Sequence, residues 1–166
     1  MYHSIKEFLE DWENESAGTI KMLKNLTDAS LNQKVTEEGR SLGFLAWHFT
    51  ISIGDMGRRS GLKFNAPADD APVPALAEEI TTAFENSSQD FVEALKAQWN
   101  DAMLEEIIEI YGEKWKRGFV LGILITHLIH HRGQMTVLMR QAGLKVPGLY
   151  GPSKEEWVQY GMPPQP

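Results

Sequence analysis

The chain has 166 residues, 42% of them hydrophobic and 23% charged, which fits one globular domain with a real core and excludes collagen-like, coiled-coil and wholly disordered classes. Sixteen basic against 23 acidic side chains give a net charge of -7, and the basic ones are scattered apart from Arg58-Arg59 and Lys114-Lys116-Arg117, so no nucleic-acid partner is expected. The absence of cysteine removes a disulfide scaffold, a thiolate metal site and a thiol nucleophile of the protein's own; any thiol chemistry must import its sulfur.

The first residues, MYHSIKEFLEDWENE, turn acidic almost at once and lack the basic start and apolar middle of a secretory leader. No apolar run approaches the roughly 18 residues of a membrane span, so a cytoplasmic protein without a membrane partner is expected. Ile5, Phe8, Leu9, Trp12, Ile20 and Leu23 recur at helical intervals and predict a first helix from about Ser4 to Leu26. Leu42, Leu45, Phe49, Ile53 and Met56 predict a second, starting beside a plausible N-cap at Ser41 and fading at Arg59-Ser60-Gly61. Three prolines and two aspartates between Asn65 and Pro74 bar a helix there, and Pro74 suits the first turn of a third helix marked by Leu76, Ile80, Phe84, Phe91 and Leu95.

Between Trp99 and Trp115, the run Ile107, Ile108, Ile110, Tyr111 before Gly112 fits either a small hairpin or a frayed helix. Val120, Leu124, Met135 and Leu138 predict a fourth helix from about Arg117 to Gln141, closed by Gly143. From Pro147 to Pro166, a capping-box pattern at Ser153 and Glu156 predicts a short helix and then a loose, proline-rich tail. No repeat or linker divides the chain, so residues 1–166 form a single all-α domain with 147–166 as its C-terminal extension.

The fourth helix contains THLIHHRGQM. At about 100° per residue His127 and His131 differ by only ~40° and share the direction of Val120 and Leu138, while His130 lies ~60° round the other way. Two imidazoles buried without partners would cost about 1 to 3 kcal/mol each, and a divalent metal removes that cost, because neutral imidazole is a good ligand and i,i+4 rings converge on one ion. A third ligand must come from elsewhere. His3 sits near the chain start and reads as a surface residue, so His48, in the second helix beside Trp47, is preferred. Asp55 falls ~20° from His48 on the helical wheel and is a weak candidate for an outer ligand or catalytic base. The spacing contains no glutamate, so the HExxH protease arrangement is absent. Core packing accounts for Trp12, Phe49, Phe84 and Phe91, and Arg132, Gln134 and Gln141 read as capping or bridging residues.

LAWHF in the second helix, HLIHHRGQM in the fourth and the continuation MRQAGLKVPGLYGPS resemble the DinB/YfiT-like proteins of the DinB superfamily over almost the whole chain. The resemblance implies a metal triad at His48, His127 and His131, and an up-and-down four-helix bundle with an unusual connection between the second and third helices. It also implies a homodimer, and zinc or nickel as the metal, with manganese a third candidate. Relatives in that family include transferases using bacillithiol or mycothiol, a thiol-dependent isomerase and members called hydrolases. The expected activity is therefore transfer of a low-molecular-weight thiol cosubstrate to an electrophilic small-molecule substrate through a metal-activated thiolate. The alternatives are a metal-dependent hydrolase using metal-bound water and a non-enzymatic metal-binding stress-response protein.

Overall fold

Ser41 starts a helix because its side chain can replace a missing backbone acceptor. In the computed structural model, which describes residues 1–164, its hydroxyl accepts from the Phe44 amide at 3.1 Å and helix α2 runs Leu42–Arg59. The other long helices are α1 (Ile5–Leu23), α3 (Ala77–Gln98) and α4 (Arg117–Gln141). A hairpin of β1 (Ile107–Ile110) and β2 (Glu113–Lys116) precedes α4, its strands antiparallel with Ile108 opposite Trp115. The hairpin alternative for this stretch therefore holds. Among the described residues no helix is long and apolar enough to cross a membrane.

Helix α3 starts later than predicted. Pro74 lies outside it, and the first helical amide, that of Ala77, donates to Asp28 Oδ1 at 2.8 Å. Helix α1 is closed the same way, its Ile5 amide donating to Asp101 Oδ1 at 2.8 Å. Neither helix has a side-chain cap of its own; the carboxylates come from 3-10 turns at Asp28–Asn32 and Asp101–Glu105. Gly143 has φ +75 just beyond α4, the left-handed conformation that ends a helix without a Cβ penalty.

Helix α1 packs on α3 and α4, and α2 packs on the same pair. Phe8 meets Phe91 while Lys24 pairs with Glu85, so α1 and α3 are antiparallel. His48 meets His127 while Arg117 reaches the Ser60 carbonyl, so α2 and α4 are antiparallel too. Phe49 on Phe84 and Lys63 on Gln98 show that α2 and α3 run the same way. The bundle therefore alternates within these antiparallel pairs but runs up, down, down, up, and the unusual α2–α3 connection is an overhand crossing through residues 60–76. That strap is fastened to α2: the Trp47 indole donates to the Ala71 carbonyl at 2.8 Å, and Arg58 holds Pro67 and Asp69. Gly57 allows the close approach, since a Cβ there would meet the Phe64 ring at 2.5 Å.

The core is a continuous apolar cluster in which Phe8, Phe49, Ile53, Ile80, Phe84 and Met135 are fully buried. Burying each such side chain contributes about 1.5–3 kcal/mol. Beyond α4 the chain folds back, with Lys21 donating to the Gly148 carbonyl at 3.1 Å. Glu156 completes one half of its predicted box, accepting from the amides of Ser153 and Gly148 at 3.1 Å, and a 3-10 turn follows at Glu156–Tyr160. The end of the predicted loose tail, residues 165–166, lies outside the described residues.

Candidate metal centre

The antiparallel contact of α2 with α4 brings His48, His127 and His131 together, and their candidate ligand nitrogens lie within 4.8 Å of one another. Nε2 of His127 is 3.2 Å from Nε2 of His48 and 3.1 Å from Nε2 of His131. Two nitrogens each about 2.0–2.1 Å from a tetrahedral zinc would be roughly 3.3 Å apart, so the rings already stand near coordination spacing.

The proton count favours a cation. The Nδ1–H of His131 donates to Gln134 Oε1 at 2.7 Å, which leaves its Nε2 as a bare lone pair aimed at His127. His127 Nδ1 is buried and has no hydrogen-bond partner. Whichever nitrogen of His127 carries the proton, one polar atom is left unsatisfied or two lone pairs face each other. An ion between the three Nε2 atoms removes the repulsion, so the donor set fits a divalent metal.

Burial disfavours protonation at all three rings. It pushes His127 down to about 4, with further lowering by the neighbouring imidazoles and Arg40. His48 and His131 are lowered mainly by burial as well, although the Gln134 hydrogen bond opposes the shift at His131. Neutral imidazole is the form a metal requires. On its other side the His48 ring lies parallel to Phe44 at 5.8 Å, and the Arg40 guanidinium sits over that phenyl ring at 5.2 Å. Among the described residues no carboxylate bonds any of the three imidazoles. Histidine ligands usually donate to one; here the neutral Gln134 takes that place.

The remaining titratable residues singled out from the sequence lie elsewhere. His130 is exposed, and His3 is an exposed partner of Glu105. Asp55, two turns beyond His48, accepts from the Tyr111 hydroxyl and from Arg59 Nε at 2.5 Å. Burial alone would raise its pKa, but these bonds outweigh it and hold the carboxyl below its usual range. They tie α2 to the hairpin, whose turn residue Tyr111 has φ 54. Arg132 reaches away from the site, its guanidinium bonding the Glu15 carbonyl at 2.8 Å, the Glu15 carboxylate and the Tyr150 hydroxyl. Arg40 is the site residue that sequence reasoning missed, whereas Gln134, read there as a capping or bridging residue, bridges to His131. Gln134 was legible only as a polar group three residues after His131; Arg40 carries no periodic signal.

Comparison with known proteins identifies the family and the fold. The family model described as the DinB family matches residues 1–164. The uncharacterised protein YrdA of Bacillus subtilis (strain 168) is 48% identical over 162 residues, covering 98% of this chain and 97% of that protein. A crystal structure of a DinB-like protein from Bacillus cereus ATCC 10987 superposes with a TM-score of 0.87 at 44% identity, over 90% of this chain and all of that one. A second, the DinB-like YjoA of Bacillus subtilis, gives a TM-score of 0.67 at 16% identity over 86% of this chain and 97% of its own, and shows the shared fold. With four helices in the same arrangement and a full-length family match, the chain belongs to the DinB family.

Proposed function

We propose that this protein is a metal-dependent transferase that joins a low-molecular-weight thiol to an electrophilic small molecule, with His48, His127 and His131 holding the metal. The carrying observation is the convergence of three Nε2 atoms, with no carboxylate among the described residues bonded to any of the rings, in a chain without cysteine. A divalent cation bound there supplies stabilisation of a thiolate at neutral pH. The three neutral rings leave the centre's positive charge uncompensated, which favours an anionic sulfur arriving from solution. Gln134 fixes the orientation of His131, and the Phe44 face limits the swing of His48. In the transfer the thiol proton leaves to solvent, sulfur forms the new bond to the electrophilic atom, and the leaving group departs with the broken bond's electron pair.

Hydrolysis has less support. It calls for a base near the attacking water, and the candidate base Asp55 is committed to Tyr111 and Arg59 with its proton affinity reduced. The test is loss of monobromobimane or chlorodinitrobenzene that depends on added thiol, stops on chelation and returns with zinc or nickel. Ester turnover without thiol would replace transfer by hydrolysis, and silence in both assays at stoichiometric metal would leave a binding protein. A homodimer belongs to the same proposal, and light scattering checks it.

A further inference from the structure

We propose that Arg40 is the anion-recognition residue of the metal centre. It would select a small molecule that brings a carboxylate to the guanidinium, a short apolar body to the adjoining cavity and its reacting group to the three histidines. This inference rests on the metal-dependent reading above and names the class of molecule that site accepts.

A cavity of about 350 Å³ opens between the start of α2 and the second half of α4, with Arg40, Leu45, Gln134, Val137 and Leu138 in its wall. That volume is at the small end of ligand sites. The three histidines are not in its wall but adjoin it through two wall residues: Gln134 holds the His131 ring at 2.7 Å, and Arg40 lies over the phenyl ring that stacks on His48. Leu45, Val137 and Leu138 offer carbon surface between them.

The charge pattern shows what Arg40 is for. The chain has six arginines, and Arg58, Arg59, Arg117, Arg132 and Arg140 each hold an acidic partner. Arg40 is exposed and has none among the described residues. Its guanidinium is one aromatic ring away from His48. A cation beside three neutral ligands repels the metal, so its placement gains nothing from the metal alone; a ligand with one anionic group for the guanidinium and another for the metal would neutralise both. A guanidinium fork suits a carboxylate in particular, because it can donate two parallel hydrogen bonds.

The test uses the full chain loaded with Co(II), whose visible spectrum reports ligands at the metal. Two matched pairs are titrated: 3-mercaptopropionate against 3-mercaptopropionamide, and succinate monohydroxamate against its amide. The carboxylate members are expected to bind about tenfold tighter. Arg40→Gln should erase that preference by weakening only the carboxylates, Arg40→Lys should keep part of it, and Co(II) stoichiometry should not change in either. Equal affinities within both pairs, a preference that survives Arg40→Gln, or no ligand reaching the metal overturns the proposal. If the hydroxamates show the preference and the thiols never coordinate, thiol transfer fails and Arg40 stands; if the thiols coordinate without preference, Arg40 fails and transfer stands.

Discussion

His131 uses its two nitrogens for different tasks: Nδ1 is fixed by Gln134 and Nε2 faces the other imidazoles. Removing His127 or His131 by alanine should therefore strip the protein of metal, whereas His130→Ala, at an exposed ring, should leave its content nearly intact; elemental analysis of untagged protein distinguishes them, and equal losses at all three would refute the ligand set. Gln134→Ala should weaken metal affinity by about 10- to 100-fold, the usual effect of losing a ligand's orienting partner, measurable by competition with a chromophoric chelator. A pH effect follows from His127. Its folded value, about 4, is below the roughly 6.5 of an unfolded imidazole, so between those values the unfolded chain binds more protons than the folded one. The metal-free protein should lose stability as the pH falls through that window and regain it above, and melting curves of wild type and His127→Gln should diverge there.

The ends of the helices show what short-range pattern can and cannot report. Ser41 caps α2 from three residues away, and both bounds of α4 follow from local periodicity and Gly143. The start of α3 could not be read, because its cap is Asp28, 49 residues earlier in sequence, and that carboxylate outweighs the local preference that Pro74 expressed. The same limit hid Asp101 at α1 and the Glu15–Arg132–Tyr150 knot, whose members meet only after the bundle closes. The three histidines were legible because two share a helical face and a third had few competitors; Arg40 was not, because an unpaired charge is visible only once every other arginine has found its partner. Asp28→Ala should cost about 1 kcal/mol in urea unfolding, with Asp28→Asn keeping most of the loss at bay. Arg132 is 2% exposed, and Arg132→Ala leaves the Glu15 carboxylate without its guanidinium, at a cost of about 3 kcal/mol; an unchanged urea midpoint would show the knot to be energetically idle.

At the scale of the molecule, a metal and the bundle would be linked, since the three candidate ligands come from α2 and α4 and an ion that binds the folded form alone stabilises it. At a thousand times the dissociation constant that is about 4 kcal/mol, so chelation should lower the melting temperature and zinc or nickel should restore it. Because α2 and α3 run in parallel, the chain must carry its 60–76 strap back along α2 before α3 can pack, and α1 must wait for partners that are not its neighbours in sequence. During synthesis the ribosome releases His48 long before His127 and His131, so a growing polypeptide offers a cation one imidazole and little reason to stay. A metal held by all three rings would therefore be bound only once α4 has been made and packed on α2, and the ion at hand then, rather than one met earlier, would be the one acquired.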